Sequence, residues 1–240
     1  MVGRAPPVRP GAVVSTAVRR EFGEGPLSRG AALVYTLLVV ELLLLLCAAP
    51  GLAALFALER HVSNLPLVAV CAVPLGPALS AAVYALHRQR LDLTDLHPWR
   101  LFWRGYRANL AGSLLVWVPT LLWLTVIAVN LVNLPAAGVP AWWAVPLVLV
   151  GAGVAVVGVN ALVITSLFTF RLPDVIRLAG YFVLRTPLVP VGTALLLVAA
   201  TMLTLVASEA ALAALGSVLA LALVRGGEPM IATIRKEFVR

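Results

Sequence analysis

What most constrains this chain is a succession of apolar runs, each about as long as a bilayer is thick, separated by short polar segments. A membrane-crossing helix needs roughly 20 apolar residues. On that criterion the sequence predicts six spans, at about residues 30–50, 65–86, 109–131, 142–170, 187–207 and 210–224. Residues 30–224 then form one membrane domain between basic tails at 1–29 and 225–240. Pro50-Gly51 is expected to end or kink the first span, and Pro74 and Pro77 interrupt the second. Pro187–Val224 would reach about 57 Å as a single helix, so it is read as two helices folded at Ser208-Glu209, the last one short.

Composition supports an all-α integral membrane fold. Charged residues make up 12% of the chain, about half the roughly 25% of a soluble domain, and too few to coat a water-facing surface. The first apolar run exceeds the roughly 7–15 residues of a signal-peptide core, so it is read as a retained helix. Cys47 and Cys71 make no CxxC pair and read as structural thiols in apolar runs.

Arginine placement sets the orientation. One side receives Arg4, Arg9, Arg19, Arg20 and Arg29, then Arg88, Arg90, Arg100, Arg104 and Arg107. It also receives Arg171, Arg177 and Arg185, and finally Arg225, Arg235, Lys236 and Arg240. The opposite loops hold Arg60 alone. Basic loops stay in the cytoplasm, so both termini are expected there.

Between the second and third spans, Thr94 or Asp95 can cap a helix and Pro98 suits its first turn. Trp99, Phe102, Trp103, Tyr106 and Leu110 then share one face, with Arg100, Arg104 and Arg107 on a neighbouring stripe. That pattern predicts an amphipathic helix in the cytoplasmic interface, its rings among acyl chains and its guanidinia on the phosphates of anionic lipids. The same surface would serve to dock a cytoplasmic partner. Single-stranded nucleic acid also favours arginine and aromatic rings, but between two spans the lipid reading prevails, and no nucleic-acid partner is expected. Pro98 with Gly105-Tyr106 is echoed by Pro173 with Gly180-Tyr181 at equal spacing, the trace a duplicated hairpin would leave.

Three residue groups carry a family likeness: Pro74-Leu75-Gly76-Pro77-Ala78, Ala81-Ala82-Val83-Tyr84, and Phe102-Trp103-Arg104-Gly105-Tyr106-Arg107-Ala108-Asn109-Leu110. Over residues 28–115 the chain resembles the YesL-like family of bacterial multi-pass membrane proteins, a domain of unknown function. Members of that family are often found beside carbohydrate-uptake and glycan-degradation systems. The resemblance therefore implies a role associated with sugar transport, with transporter components as partners, and names no activity.

Within the spans, polar residues are the candidates for function. Glu41 stands twelve residues after Arg29 in Val39-Val40-Glu41-Leu42-Leu43, close to mid-bilayer, where a carboxylate is costly. It is expected either to bond another helix or to line a polar pathway with Asn130 and Asn160, the three together forming a candidate substrate-binding set. Asn130, Asn160, Thr165, Ser166, Thr169, Thr201 and Thr204 otherwise read as interhelical hydrogen-bonding groups. Asp92, Asp95 and His97, like Glu59 and His61, have no recognised metal spacing and read as caps or solvated loops. No P-loop, GxSxG or HExxH occurs. Glu209-Ala210-Ala211 is similar to the coupling motif of transporter permeases, but Leu215 occupies that motif's glycine position. The chain is accordingly read as non-enzymatic and without cofactor: an accessory to solute uptake or, alternatively, a membrane scaffold docking a partner through its Arg/aromatic helix.

Overall fold

The computed structural model describes residues 26–59, 61–89, 96–206 and 209–237. Thr94, Asp92 and Asp95, and with them the expected cap, lie outside these residues. Among the described residues all regular structure is helical.

Helix α1 runs over Pro26–Ala57, about 48 Å against a hydrocarbon core of about 30 Å. Pro50-Gly51 was expected to end or kink it; the helix does not end there and continues for two more turns. Gly51 lies against the Cys71 carbonyl, so close that a Cβ would collide with backbone. Cys71 thus packs directly on the turn of the helix that carries Pro50. Ala32, Thr36, Val40, Leu44 and Ala48 are all buried, a ridge at i, i+4 spacing. Leu38, Leu42 and Leu46 face outward.

The residues expected to form the second span form two helices instead. A 3-10 turn at Val62–Asn64 leads into α2 (Leu65–Cys71), and α3 (Leu75–Arg88) follows at 41° after three residues. Pro74 supplies no N–H and crowds the carbonyl four residues before it, and Pro77 repeats the loss one turn on. The chain tightens instead, with Leu75 N–H donating to Ala72 O at 3.2 Å and Gly76 N–H to Val73 O at 3.3 Å. Trp117 Nε1 adds a second donor to Ala72 O at 3.0 Å. Beyond the break, residues Gly76–Ala78 and Ser80–Ala85 are all buried, which makes α3 the central helix. Small side chains at Ala78, Ala81, Ala82 and Ala85 let neighbours approach on every side, the usual means of close packing in membranes.

Helix α4 spans Pro98–Asn133 without interruption. The expected division into an interfacial helix over 98–108 and a span from 109 is absent. Ala108-Asn109 contains neither proline nor glycine, and the Asn109 side chain, instead of capping a new helix, donates to Ser166 O of the next span at 2.9 Å. Pro98 occupies the first turn as expected. A 3-10 turn at Ala141–Trp143 precedes α5 (Ala144–Leu167). That helix ends short of 170, because Phe168 turns extended at φ −132°.

Helix α6 (Leu172–Arg185) occupies what reads from sequence as a polar connection. Val175, Ala179 and Phe182 turn inward while Arg177, Tyr181 and Arg185 face out. The two halves of the sequence echo are thus both helical with proline in the first turn. They differ at the end: Thr186-Pro187 stops α6 where α4 continues. Helix α7 (Leu188–Val206) matches its expected span.

The expected short sixth span and basic tail are replaced by α8 (Glu209–Ala213) and α9 (Gly216–Glu237). Despite Gly226, Gly227 and Pro229, α9 stays helical. Met230, Ile231 and Ile234 are buried in one cluster with Val175, Ala179 and Phe182 of α6 and with Val83 of α3. A second cluster joins Val40 and Leu44 of α1, four alanines of α3, Phe102 of α4 and Ala220 of α9.

Candidate functional site

Glu41 meets the break between α8 and α9. Its position on α1, one residue off the buried ridge, turns it toward Gly216 and Ser217, the first two residues of α9. Ser217 N–H donates to Glu41 Oε2 at 2.6 Å. A helix start leaves backbone donors without intrahelical partners and carries positive partial charge, so a carboxylate from a neighbouring helix is a complementary cap. The other oxygen, Oε1, is buried without a hydrogen-bond partner. Gly216 brings α9 close enough that a Cβ there would stand 3.2 Å from Leu44 and 3.4 Å from Oε1. Glu41 therefore bonds another helix, one of the two arrangements expected of it.

Asn160 is buried in α5 and accepts the Thr193 hydroxyl of α7 at 3.1 Å. Six residues further along α5, Ser166 Oγ bonds Ser80 Oγ of α3 at 2.9 Å. With Asn109 on Ser166 O, these contacts join α3, α4, α5 and α7 by side-chain hydrogen bonds. Ser166 was expected from sequence to hydrogen-bond between helices, and it does; Ser80 was not singled out, since a lone serine in an apolar run gives no signal of its partner. Asn130 departs from expectation. It is exposed on α4, and its Nδ2 donates to Val126 O of its own helix at 2.8 Å. Its hydrogen bond thus stays within its own helix, unlike those of Glu41 and Asn160.

Between Glu41 and Asn160 lies a cavity of about 320 Å³. Its walls include Leu44 and Gly216 beside Glu41, Thr193 beside Asn160, and leucines of α1, α3, α7, α8 and α9. Almost every lining side chain is apolar.

At the end of the bundle where α3 finishes, charge gathers. Arg235 comes within 3.3 Å of His87, and Arg185 pairs with Glu237 at 3.1 Å and bonds the Tyr181 hydroxyl. Arg88 lies over the Tyr84 ring, itself packed on Gly105 of α4. The first turns of α4 point Arg100, Arg104 and Arg107 outward. Arg100 stacks on Trp99, which is also exposed, at 5.3 Å. The aromatic face is not uniformly outward as its wheel suggests. Phe102 is fully buried against α1, α3 and α9, while Trp103 and Tyr106 are half-buried beside it. The arginines hold their predicted stripe; the rings serve the core more than a bilayer surface. His61 accepts from Ser63 N–H, acting as a cap.

Among the described residues, five helices are long and apolar enough to cross a membrane, and six if the bent pair counts as one span. Leu42, Leu122, Leu149, Leu195 and Leu205 are each more than 60% exposed, a surface that water would not tolerate. Fold and surface together define a polytopic helical membrane protein. A family model described as a protein of unknown function, DUF624, matches residues 31–131, from the second turn of α1 almost to the end of α4. The region so matched resembles a domain whose activity is unassigned. No curated protein and no solved structure matches the chain.

Proposed function

We propose that this protein is a non-enzymatic accessory of the bacterial plasma membrane that assists solute uptake by a partner, with both termini cytoplasmic, rather than conducting solute through its own interior. The observation that carries the reading is the separation of the intramembrane polar groups. Glu41 is engaged with α9, Asn160 with α7 and Asn130 with its own backbone, and an apolar cavity lies between the first two. A hydrophilic solute would find no continuous line of partners, and each desolvated polar group would be costly.

The outward arginines on the first turns of α4 suit a partner or anionic lipid, since helical side chains on a continuous rod are held in fixed register. The resemblance over residues 28–115 supports carbohydrate as the solute and transporter components as the partners. The alternative role, a scaffold or regulator unconnected with transport, draws on the same exposed arginines. One experiment separates these readings. Arg100→Glu, Arg104→Glu and Arg107→Glu, combined, should release a co-purifying transporter and lower sugar uptake in cells. Release without change in uptake would favour the scaffold. Sugar entry into liposomes containing the purified chain alone would overturn the accessory reading.

A further inference from the structure

We infer that the cavity between α1, α3 and α7 is a binding site for one acyl chain of a membrane lipid. Along α1 its lining runs from Leu44 to Leu55, a depth of about 17 Å at 1.5 Å per residue. Its volume of about 320 Å³ extends along that depth, an elongated column in which a hydrocarbon chain can lie. The volume is also about twice that of an engineered apolar cavity that takes up benzene.

The chemistry of the walls selects the occupant. The polar groups that reach them are already engaged: Thr193 Oγ1 donates to Asn160 or to Val189 O, each at 3.1 Å, and Trp117 Nε1 to Ala72 O. Water needs two to four polar partners to stay in a cavity, and the Thr193 hydroxyl oxygen, as a single acceptor, falls short of that. A solute with hydroxyls would lose its hydration without replacement. An alkyl chain loses nothing, because it leaves one apolar environment for another and gains close contacts. The supply is adjacent: the outer face of α7 exposes Leu195, Val198, Met202 and Leu205, so acyl chains surround the helix that forms one wall. Leu45, Leu197 and Leu212, which line the cavity, are themselves only half-buried, as a chamber reached sideways from the bilayer requires. The site does not depend on the accessory role proposed above.

The test uses the full chain, purified in detergent, incubated with dioleoylphosphatidylcholine and examined by native mass spectrometry. A lipid without net charge keeps the basic end from contributing. Wild type should retain one lipid per chain. Ala200→Phe and Leu197→Trp, which fill the column from α7, should each lower that occupancy at least tenfold, and the triple Arg100/Arg104/Arg107→Glu variant should leave it unchanged. Should Ala200→Phe fail to insert, Leu197→Trp gives the same comparison, and Ala48→Phe fills the column from the α1 wall. Absence of a retained lipid on wild type, or equal retention by the filled variants, overturns the proposal, and so does loss in the triple variant alone.

Discussion

Replacing Glu41 isolates what a carboxylate does at the start of α9. In Glu41→Gln the side-chain amide oxygen can still accept the Ser217 N–H, now held at 2.6 Å by Oε2. What is lost is charge: the attraction of an anion to a helix start, about 0.3–1 kcal/mol and up to about 2 in partly buried geometry. In Glu41→Leu the acceptor disappears as well. Ser217 N–H is then left unsatisfied inside the bundle, at a cost of about 1–3 kcal/mol and more where no water reaches it. The orphaned Oε1 works in the opposite sense, since its removal relieves a buried unpaired acceptor. The order expected is wild type, then Gln about 1 kcal/mol lower, then Leu about 2–3 kcal/mol below wild type. Reversible unfolding in mixed detergent micelles, followed by circular dichroism, reads these differences. A Leu variant as stable as the Gln variant would show that the hydrogen bond to α9 contributes nothing and refute the capping argument.

Other substitutions report on separate parts of the bundle. Gly51→Ala drives a methyl into the Cys71 carbonyl, and overpacking of this kind should cost about 1–3 kcal/mol in the same unfolding assay. Asn160→Ala should cost about 0.6 kcal/mol and at most about 1.7, the range for interhelical hydrogen bonds in membranes, while Asn130→Ala, bonded only to its own helix, should stay within about 0.5 kcal/mol of wild type; equal effects would mean the two asparagines are not differently placed. Phe102→Ala empties a fully buried site between four helices and should cost about 3–5 kcal/mol, whereas Trp99→Ala, half-exposed on the same helix, should cost well under half as much.

Long runs of uniform hydropathy were legible, and α7 and the bodies of α1, α4 and α5 lie where composition placed them. Helix ends were less so, because in a bilayer proline and glycine do not punctuate as they do in water: α1 passes through Pro50 and α9 through Pro229, and neighbouring helices hold both. α6 was hidden for a different reason. Its inward residues are only Val175, Ala179 and Phe182, set among arginines and a proline that resemble a loop. The inward turn of Met230, Ile231 and Ile234 was masked in the same way by Gly226-Gly227 and the terminal charges. Among the polar candidates, the intramembrane cost singled out Glu41 correctly as needing a partner, but nothing in its surroundings could name Ser217, whose N–H is a backbone group 176 positions away. Asn130 and Asn160 look alike in sequence. Only which side of the helix faces the bundle tells them apart, and α4 and α5 are too apolar all round for that side to be read.

That separation of 176 positions between Glu41 and Ser217 carries a cost in time. A ribosome adds about 5–20 residues each second, so roughly 9–35 s pass between the synthesis of one partner and the other. Through that interval the first helix enters the membrane with an acid group whose counterpart does not yet exist. The nascent bundle must meanwhile keep that group wet, neutral or shielded. Whatever delays α9 prolongs the time for which Glu41 lacks its backbone donor.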